Sequence, residues 1–278
     1  MSNPEGLAIA RRLIAEEAER QTGFLDLGRL GLTELPEEIH QLRHLKRLNL
    51  GWLYRDDADQ WHESANEIDA NNFSEHSLPP LDFPQLESLG LRGTLLRHLT
   101  PLAGLTSLQS LDCFDTSVSD LTPLVGLPNL ESLSCASTSV SDLSPLAGVS
   151  NLESLSCDIT SVSDLSPLVG LSILESLSCA NTSVSDLSPL AGLSSLRKLS
   201  ASYCKLNGFP SVLLREAKPI ELYLFATHIP GVPCNVLSQN GNEDCRARLL
   251  AHVATDRCVP ASIGTSFWRR LLRAFSKK

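Results

Sequence analysis

The chain has 278 residues, 42% of them hydrophobic and 20% charged, with a formal net charge of −9. That is the composition of one continuous globular domain, and the acidic balance argues against nucleic acid, whose phosphates require a broad basic face. No apolar run approaches the roughly 18 residues of a membrane-crossing helix, and the opening MSNPEGLAIARR has no long apolar stretch, so neither a span nor a cleaved secretory signal is expected.

The first element is a helix over Pro4 to Gln21. Asn3 can cap it, Pro4 suits its first position, Glu5 favours the first turn, and Leu7, Ala10, Leu13, Ile14 and Ala18 share one face. Leu25, Leu27, Leu32, Leu35, Ile39 and Leu42 follow in LDLGRLGLTELPEEIHQL, a strand with a helical return, and Leu45, Leu48 and Leu50 begin another. The next start, Leu86, comes 41 residues after Leu45. An insertion of roughly 19 residues is therefore expected within 51–73. It reads GWLYRDDADQWHESANEIDANNF and sets Trp52, Tyr54 and Trp61 among Asp56, Asp57, Asp59, Glu63, Glu67 and Asp69. Aromatic residues beside acids on a loop suit a partner with basic and apolar features, although Trp52 and Trp61 would equally serve to pin the loop down.

From Leu86 the chain copies itself every 22 residues, with Leu86, Leu108, Leu130, Leu152, Leu174 and Leu196 in equivalent places. LESLSCASTSVSDLSPLAGVSN, LESLSCDITSVSDLSPLVGLSI and LESLSCANTSVSDLSPLAGLSS are nearly one string. A period of this size means a solenoid, because a single unit cannot bury its own apolar face. Alternation turns Leu133 and Cys135 inward and Ser132, Ser134 and Ala136 outward. Thr138 falls where an inward hydroxyl satisfies turn backbone, while Asp142, Pro145 and Gly148 cap, start and release a short helical return. Cys113, Cys135, Cys157 and Cys179 recur at one inward position, as small apolar groups of a reducing compartment rather than disulfides or metal ligands. After the divergent coils Leu199 to Leu206 and Leu222 to Ile229, a second helix is expected from Asp244 to Val253, closing the far end.

The spacing of Leu130, Leu133, Cys135, Thr138 and Val140 resembles the leucine-rich-repeat family, and the SDLSPLAGL return resembles its bacterial internalin-like subclass. The resemblance implies an α/β leucine-rich-repeat solenoid, a right-handed horseshoe with a parallel concave β-sheet, helices or 3-10 turns on the convex side, and capping helices at both ends. Its expected divisions are 1–21, the N-terminal cap; 22–236, the repeats; 237–254, the C-terminal cap; and 255–278, a linker and basic amphipathic tail. Eight or nine coils at about 4.8 Å per strand make a sheet roughly 40 Å long. The flanks PEGLAIARRLIAEEAERQTGFLDLGRLGLTELPEEI and IPGVPCNVLSQNGNEDCRARLLAHV are also similar to those around the repeats of bacterial Roco proteins, where a GTPase domain follows. No nucleotide-binding loop occurs here, so that activity is not carried over.

No catalytic motif is present, and Asp120, Asp142, Asp164 and Asp186 repeat as turn caps do, not as one catalytic pair. His40 and His44 are four apart but have no third ligand in sequence, so neither a metal nor a cofactor is expected. The expectation is a non-catalytic protein-binding scaffold in the cytoplasm, with two alternatives: a regulatory module for a separate Roco-like GTPase chain, or an exported effector that binds host proteins. Candidate binding residues are Trp52, Tyr54 and Trp61 of the insertion, Arg92, Asp112, Phe114 and Asp115 at one edge of the concave face, and Tyr203 at the other. In the tail, Phe267, Trp268 and Leu271 share an apolar face beside Arg269, Arg270 and Arg273. The last twelve residues carry five positive charges and the remainder −14, so the tail is a candidate for a protein partner, for its own acidic body, or for weak contact with an anionic membrane surface.

Overall fold

The computed structural model describes residues 2–56, 58, 60–73, 78–214, 220–233, 236–237 and 243–255. Eleven strands of three residues each occur among them: β1 (Phe24–Asp26), β2 (Arg47–Asn49), β3 (Leu53–Arg55), β4 (Trp61–Glu63), β5 (Ser88–Gly90), β6 (Ser110–Asp112), β7 (Ser132–Ser134), β8 (Ser154–Ser156), β9 (Ser176–Ser178), β10 (Lys198–Ser200) and β11 (Glu221–Tyr223). Nine of them form one parallel sheet in the order β1-β2-β5-β6-β7-β8-β9-β10-β11, and β3 and β4 form a separate antiparallel hairpin. The long sheet has no register slip. Leu25, Leu48, Leu89, Leu111, Leu133, Leu155, Leu177, Leu199 and Leu222 pair in turn across it. A slip of one residue would turn this leucine row to solvent, which is why the spacing of the apolar positions fixes the register.

The row belongs to one uninterrupted hydrophobic core running from Ala10 to Leu249. Within each coil the thiol of the repeated cysteine is buried, and in three of the four it also makes a bond. Cys113, Cys157 and Cys179 donate to the carbonyls of Ser134, Ser178 and Ser200 on the next coil. Burial pushes the Cys113, Cys135 and Cys157 thiols well above the usual range, which keeps them protonated and unreactive.

The threonines close the corner after each strand. Thr138 Oγ1 donates to Cys135 O at 2.6 Å, and Thr94, Thr116, Thr160 and Thr182 repeat the bond. On the convex side the returns are 3-10 turns, as at Ser144–Gly148 and Ser188–Gly192, with proline at the start. The repeated aspartates stand just before them and accept the backbone N–H two residues on, as Asp142 does from Ser144 at 2.8 Å. Bonds from the Ser144 side chain and backbone hold the Asp142 carboxyl below the ordinary carboxylate range.

Helix α1 (Pro4–Arg20) covers the β1 end, with Asn3 accepting from Glu5 N and Gly6 N. Gly6 lies so close to the first coil that a Cβ there would sit 1.7 Å from Leu30 O. Glu17 pins the other end of α1, accepting from Thr22 Oγ1 at 2.6 Å and Gly23 N at 2.7 Å, and facing His44 Nε2 at 2.8 Å. His44 is thereby engaged by Glu17, not by His40 as a metal pair would have it.

Helix α2 (Arg246–Thr255) begins two residues later than the expected Asp244. Asp244 stays outside because its carboxylate accepts from both Leu222 N on the last strand and Arg246 N at the helix start. Ala136, expected to face outward, is buried instead, and so are Gly90 and Ser202, which share that outward alternation. Gly90 lies beneath Asn49, whose carboxamide oxygen is 2.8 Å from where a Cβ would stand. Ala136, whose equivalents in the flanking coils are the larger Phe114 and Asp158, is 3% exposed. Ser202 is enclosed by bonds to Tyr223 O and Phe225 N.

Candidate functional site

The insertion folds over the concave face. Its β3–β4 hairpin pairs Leu53 with Glu63 and Arg55 with Trp61, and its two ends are fastened differently. At the outgoing end, Trp52 N donates to Arg92 O, and the indole lies over Gly93, whose φ of +70° and missing side chain leave room for it. A Cβ there would be 2.6 Å from the ring. At the returning end, Asp26 of β1 accepts from Ser64 Oγ at about 3 Å, Ala65 N at 3.1 Å and Asn49 Nδ2 at 2.8 Å.

Asn71 then restores the solenoid. Its oxygen accepts from Leu30 N and Leu32 N and its nitrogen donates to Leu27 O and Leu50 O, at 2.7 to 3.2 Å. Four backbone groups of the first two coils therefore end on one buried side chain. Leu53 to Ala70 is thus the inserted piece, and Asn71 occupies the corner position that threonine fills elsewhere. Sequence reading overlooked this residue. The signal was available, because Asn71 and Phe73 resume the corner spacing that Leu50 leaves open.

Arg92 ties the hairpin to the sheet. Its Nε donates to Asp112 Oδ2 at 2.9 Å, and its guanidinium carbon lies 4.2 Å from the Phe114 ring centre, 4.6 Å from Trp61 and 5.8 Å from Trp52. Arg55 stands 4.4 Å from the Trp61 ring centre. Each such contact contributes about 0.5–2 kcal/mol depending on desolvation. Beyond this stack, Tyr54 packs on Phe24 at 4.8 Å and on His62 at 5.5 Å, and burial with Asp26 nearby raises its hydroxyl pKa. His62 Nε2 also meets Asp56 Oδ2 at 2.7 Å. Asp56 is held below the ordinary range by the Gln60 N–H and then by His62.

The structure therefore gathers Trp52, Tyr54, Trp61, Arg92, Asp112 and Phe114, far apart in sequence, at one end of the concave face. Packing and exposure coexist there, since Trp52 remains 36% and Trp61 46% exposed. Asp115 stands one residue beyond, in the left-handed corner after β6, with φ +55°. Tyr203 lies apart on a distant coil, 56% exposed and edge-on to Phe225 at 5.3 Å. Phe267, Trp268, Arg269, Arg270, Leu271 and Arg273 fall outside the described residues.

Between hairpin and sheet runs a cleft of about 370 Å³. Trp61, Tyr54, Arg55 and Arg92 form one wall, serines of β5 to β8 form the floor, and Asp158 and Ile159 form the opposite lip. Such a concavity, with an aromatic wall and a polar floor, leaves room for a ligand. Among the described residues no group of His, Cys, Asp and Glu could hold a metal ion, and no helix is long and apolar enough to cross a membrane.

The leucine-rich-repeat family profile matches residues 106–148 and 128–170. Among solved structures, an internalin C2 from Listeria monocytogenes is 27% identical, with a TM-score of 0.61 over 80% of this chain and 93% of that one. An internalin from the same species, inlF, is 22% identical, with a TM-score of 0.56 over 84% of this chain and 78% of that one, a likeness of fold. No curated protein matches the sequence.

Proposed function

Because the chain is a leucine-rich-repeat protein of internalin-like fold, we propose that it is a non-catalytic scaffold whose partner is another polypeptide held in the cleft between the β3–β4 hairpin and the concave sheet. One observation carries this reading: the hairpin keeps Trp61 partly exposed on the wall of a serine-floored cleft instead of closing it. Tryptophan and arginine are among the residues that most often anchor protein contacts. The family surroundings favour binding over reaction, and the repeated Cys113, Cys135, Cys157 and Cys179, each buried as a thiol, support our proposal that the protein works in the reducing cytoplasm. The Roco-like flanks nominate a separate nucleotide-binding chain as one partner.

The test is site-specific photo-crosslinking in the source cell. A crosslinker at Ser132 on the cleft floor should trap a protein, with Trp61→Ala abolishing the adduct, while one at the exposed convex Val125 should not. Adducts from Val125 alone, or adducts at Ser132 indifferent to Trp61→Ala, would place the contact elsewhere and sink the reading.

A further inference from the structure

Three adjacent coils offer an internal comparison. The units starting at Leu130, Leu152 and Leu174 agree through LESLSC and again through TSVSDLSPL. On the corner between those strings they part: Ala136-Ser137, Asp158-Ile159 and Ala180-Asn181. Their other differences lie on the returns, at 147, 149 and 151 and their equivalents. Where the copies face the cleft, then, change is confined to one corner, and only Asp158-Ile159 departs from small neutral residues.

Ile159 is also the residue least suited to its backbone. The corner row Asp115, Ser137, Ile159, Asn181 and Tyr203 is left-handed throughout, with φ between 54° and 62°. Asparagine and aspartate tolerate that conformation, whereas a β-branched side chain is strained by it. Ile159 is nevertheless 54% exposed, so it is no core residue whose full burial would offset the strain. Strain held at a cleft lip, with an exposed apolar group as its product, is the pattern of a ligand contact.

Charge gives the ligand its second property. Residues 130–195 contain neither lysine nor arginine, and of their seven carboxylates Asp142, Asp164 and Asp186 cap the convex returns while Glu131, Glu153, Asp158 and Glu175 lie on or beside the sheet. Glu87 and Glu175, at the head of their strands, are bridged by Lys46 and Arg197, while Glu131 and Glu153 have no ion pair among the described residues. Asp158 is fixed by bonds from Ser178 Oγ and Ala180 N, both at 2.6 Å, and those neutral donors leave its charge uncompensated. Arg92, on the opposite wall, is already matched to Asp112.

Resting on the cleft reading above, we propose that Asp158 and Ile159 are its specificity-determining pair. The segment it takes is an extended stretch of a partner polypeptide carrying a bulky apolar side chain next to a lysine or arginine. The apolar group covers Ile159 and the cation meets Asp158. From the Arg92 coil to the Ile159 coil is three strand spacings, about 14 Å, which an extended chain crosses in roughly four residues.

The experiment is selection of displayed random peptides, about ten residues long so that they overhang the cleft, on the full chain. The affinity of the selected peptide is then measured by fluorescence anisotropy. Asp158→Ala and Ile159→Asn reproduce the neighbouring coil 174–195, whose fold is on hand, and the melt of each variant is recorded alongside. The expected result is an apolar-basic consensus, an affinity loss of at least tenfold in Ile159→Asn with no lowering of the melt, and a flatter salt dependence in Asp158→Ala. Peptides weakened by Trp61→Ala but bound equally by both lip variants would overturn the assignment of the pair and leave the cleft reading intact. Enrichment of acidic peptides would do the same if Trp61→Ala still weakened them. Peptides indifferent to wall and lip alike, or no enrichment, would overturn both.

Discussion

Replacing Asn71 by alanine should be among the costliest single changes in the chain. The side chain is buried and makes four hydrogen bonds to backbone groups of the first two coils. At about 1 kcal/mol net for each bond, the expected loss is about 4 kcal/mol, falling toward about 2 kcal/mol if water enters and satisfies the stranded groups. Thr138→Val is the internal yardstick, because Thr138 donates one bond of the same kind, to Cys135 O, at a cost of about 1 kcal/mol. Both variants would be unfolded in urea and followed by far-ultraviolet circular dichroism and by tryptophan emission. Coils couple to their neighbours only, so the Asn71 variant should lose tryptophan signal before dichroism, Trp52 and Trp61 being adjacent to the damaged corner. A loss no larger than that of Thr138→Val would refute the claim that Asn71 restores the solenoid after the insertion.

Glu17→Gln should destabilise the α1 cap by about 1–3 kcal/mol at neutral pH. Burial alone would raise the Glu17 pKa, but bonds from Thr22, His44 and Gly23 outweigh it and leave it lowered. Its contribution is therefore complete above the ordinary glutamate value and lost as pH falls through the lower folded-state value, so the gap between wild type and variant should narrow on acidification; a gap that widens would reverse the sign. Arg92→Met should loosen the hairpin by about 1–2 kcal/mol, read as a red shift of tryptophan emission under native conditions, and an unchanged spectrum would show that the aromatic stack is not what holds it. Ile159→Asn should raise global or local stability by about 1 kcal/mol, because asparagine accepts the left-handed corner; a fall in stability would show that Ile159 packs within its own chain.

The repeated part of the fold was legible because each coil restates the same constraints. Leu133, Cys135, Thr138 and Asp142 each recur at a fixed distance, and a position that recurs reveals its role by spacing alone. Sequence located the insertion but not its conformation. The contact of Trp61 with Arg92, or of Ser64 with Asp26, joins segments that share no period, and alternation cannot tell a hairpin lying on the sheet from a loop in solvent. Asn71 was missed for a related reason: its corner spacing is interrupted by the insertion that it terminates. Ile159 was invisible as a strained residue, because φ is set by the corner and not by the side chain that happens to occupy it. The small-residue floor has no large side chain of its own; those arrive from the hairpin above.

The unbroken register of the long sheet gives the cleft a property of its own. Its two sides belong to different coils, the Trp61 wall fixed over β5 and β6 and the Ile159 lip fixed after β8, with the near-interchangeable unit 130–151 in between and another, 174–195, beyond. One unit more or fewer between them would move the jaws by a single strand spacing, about 4.8 Å, without asking any core leucine to find a new neighbour. The opening is thus a caliper graduated in whole coils, and gain or loss of a unit through unequal exchange between such similar repeats resets the length of chain it measures while leaving both jaws as they are.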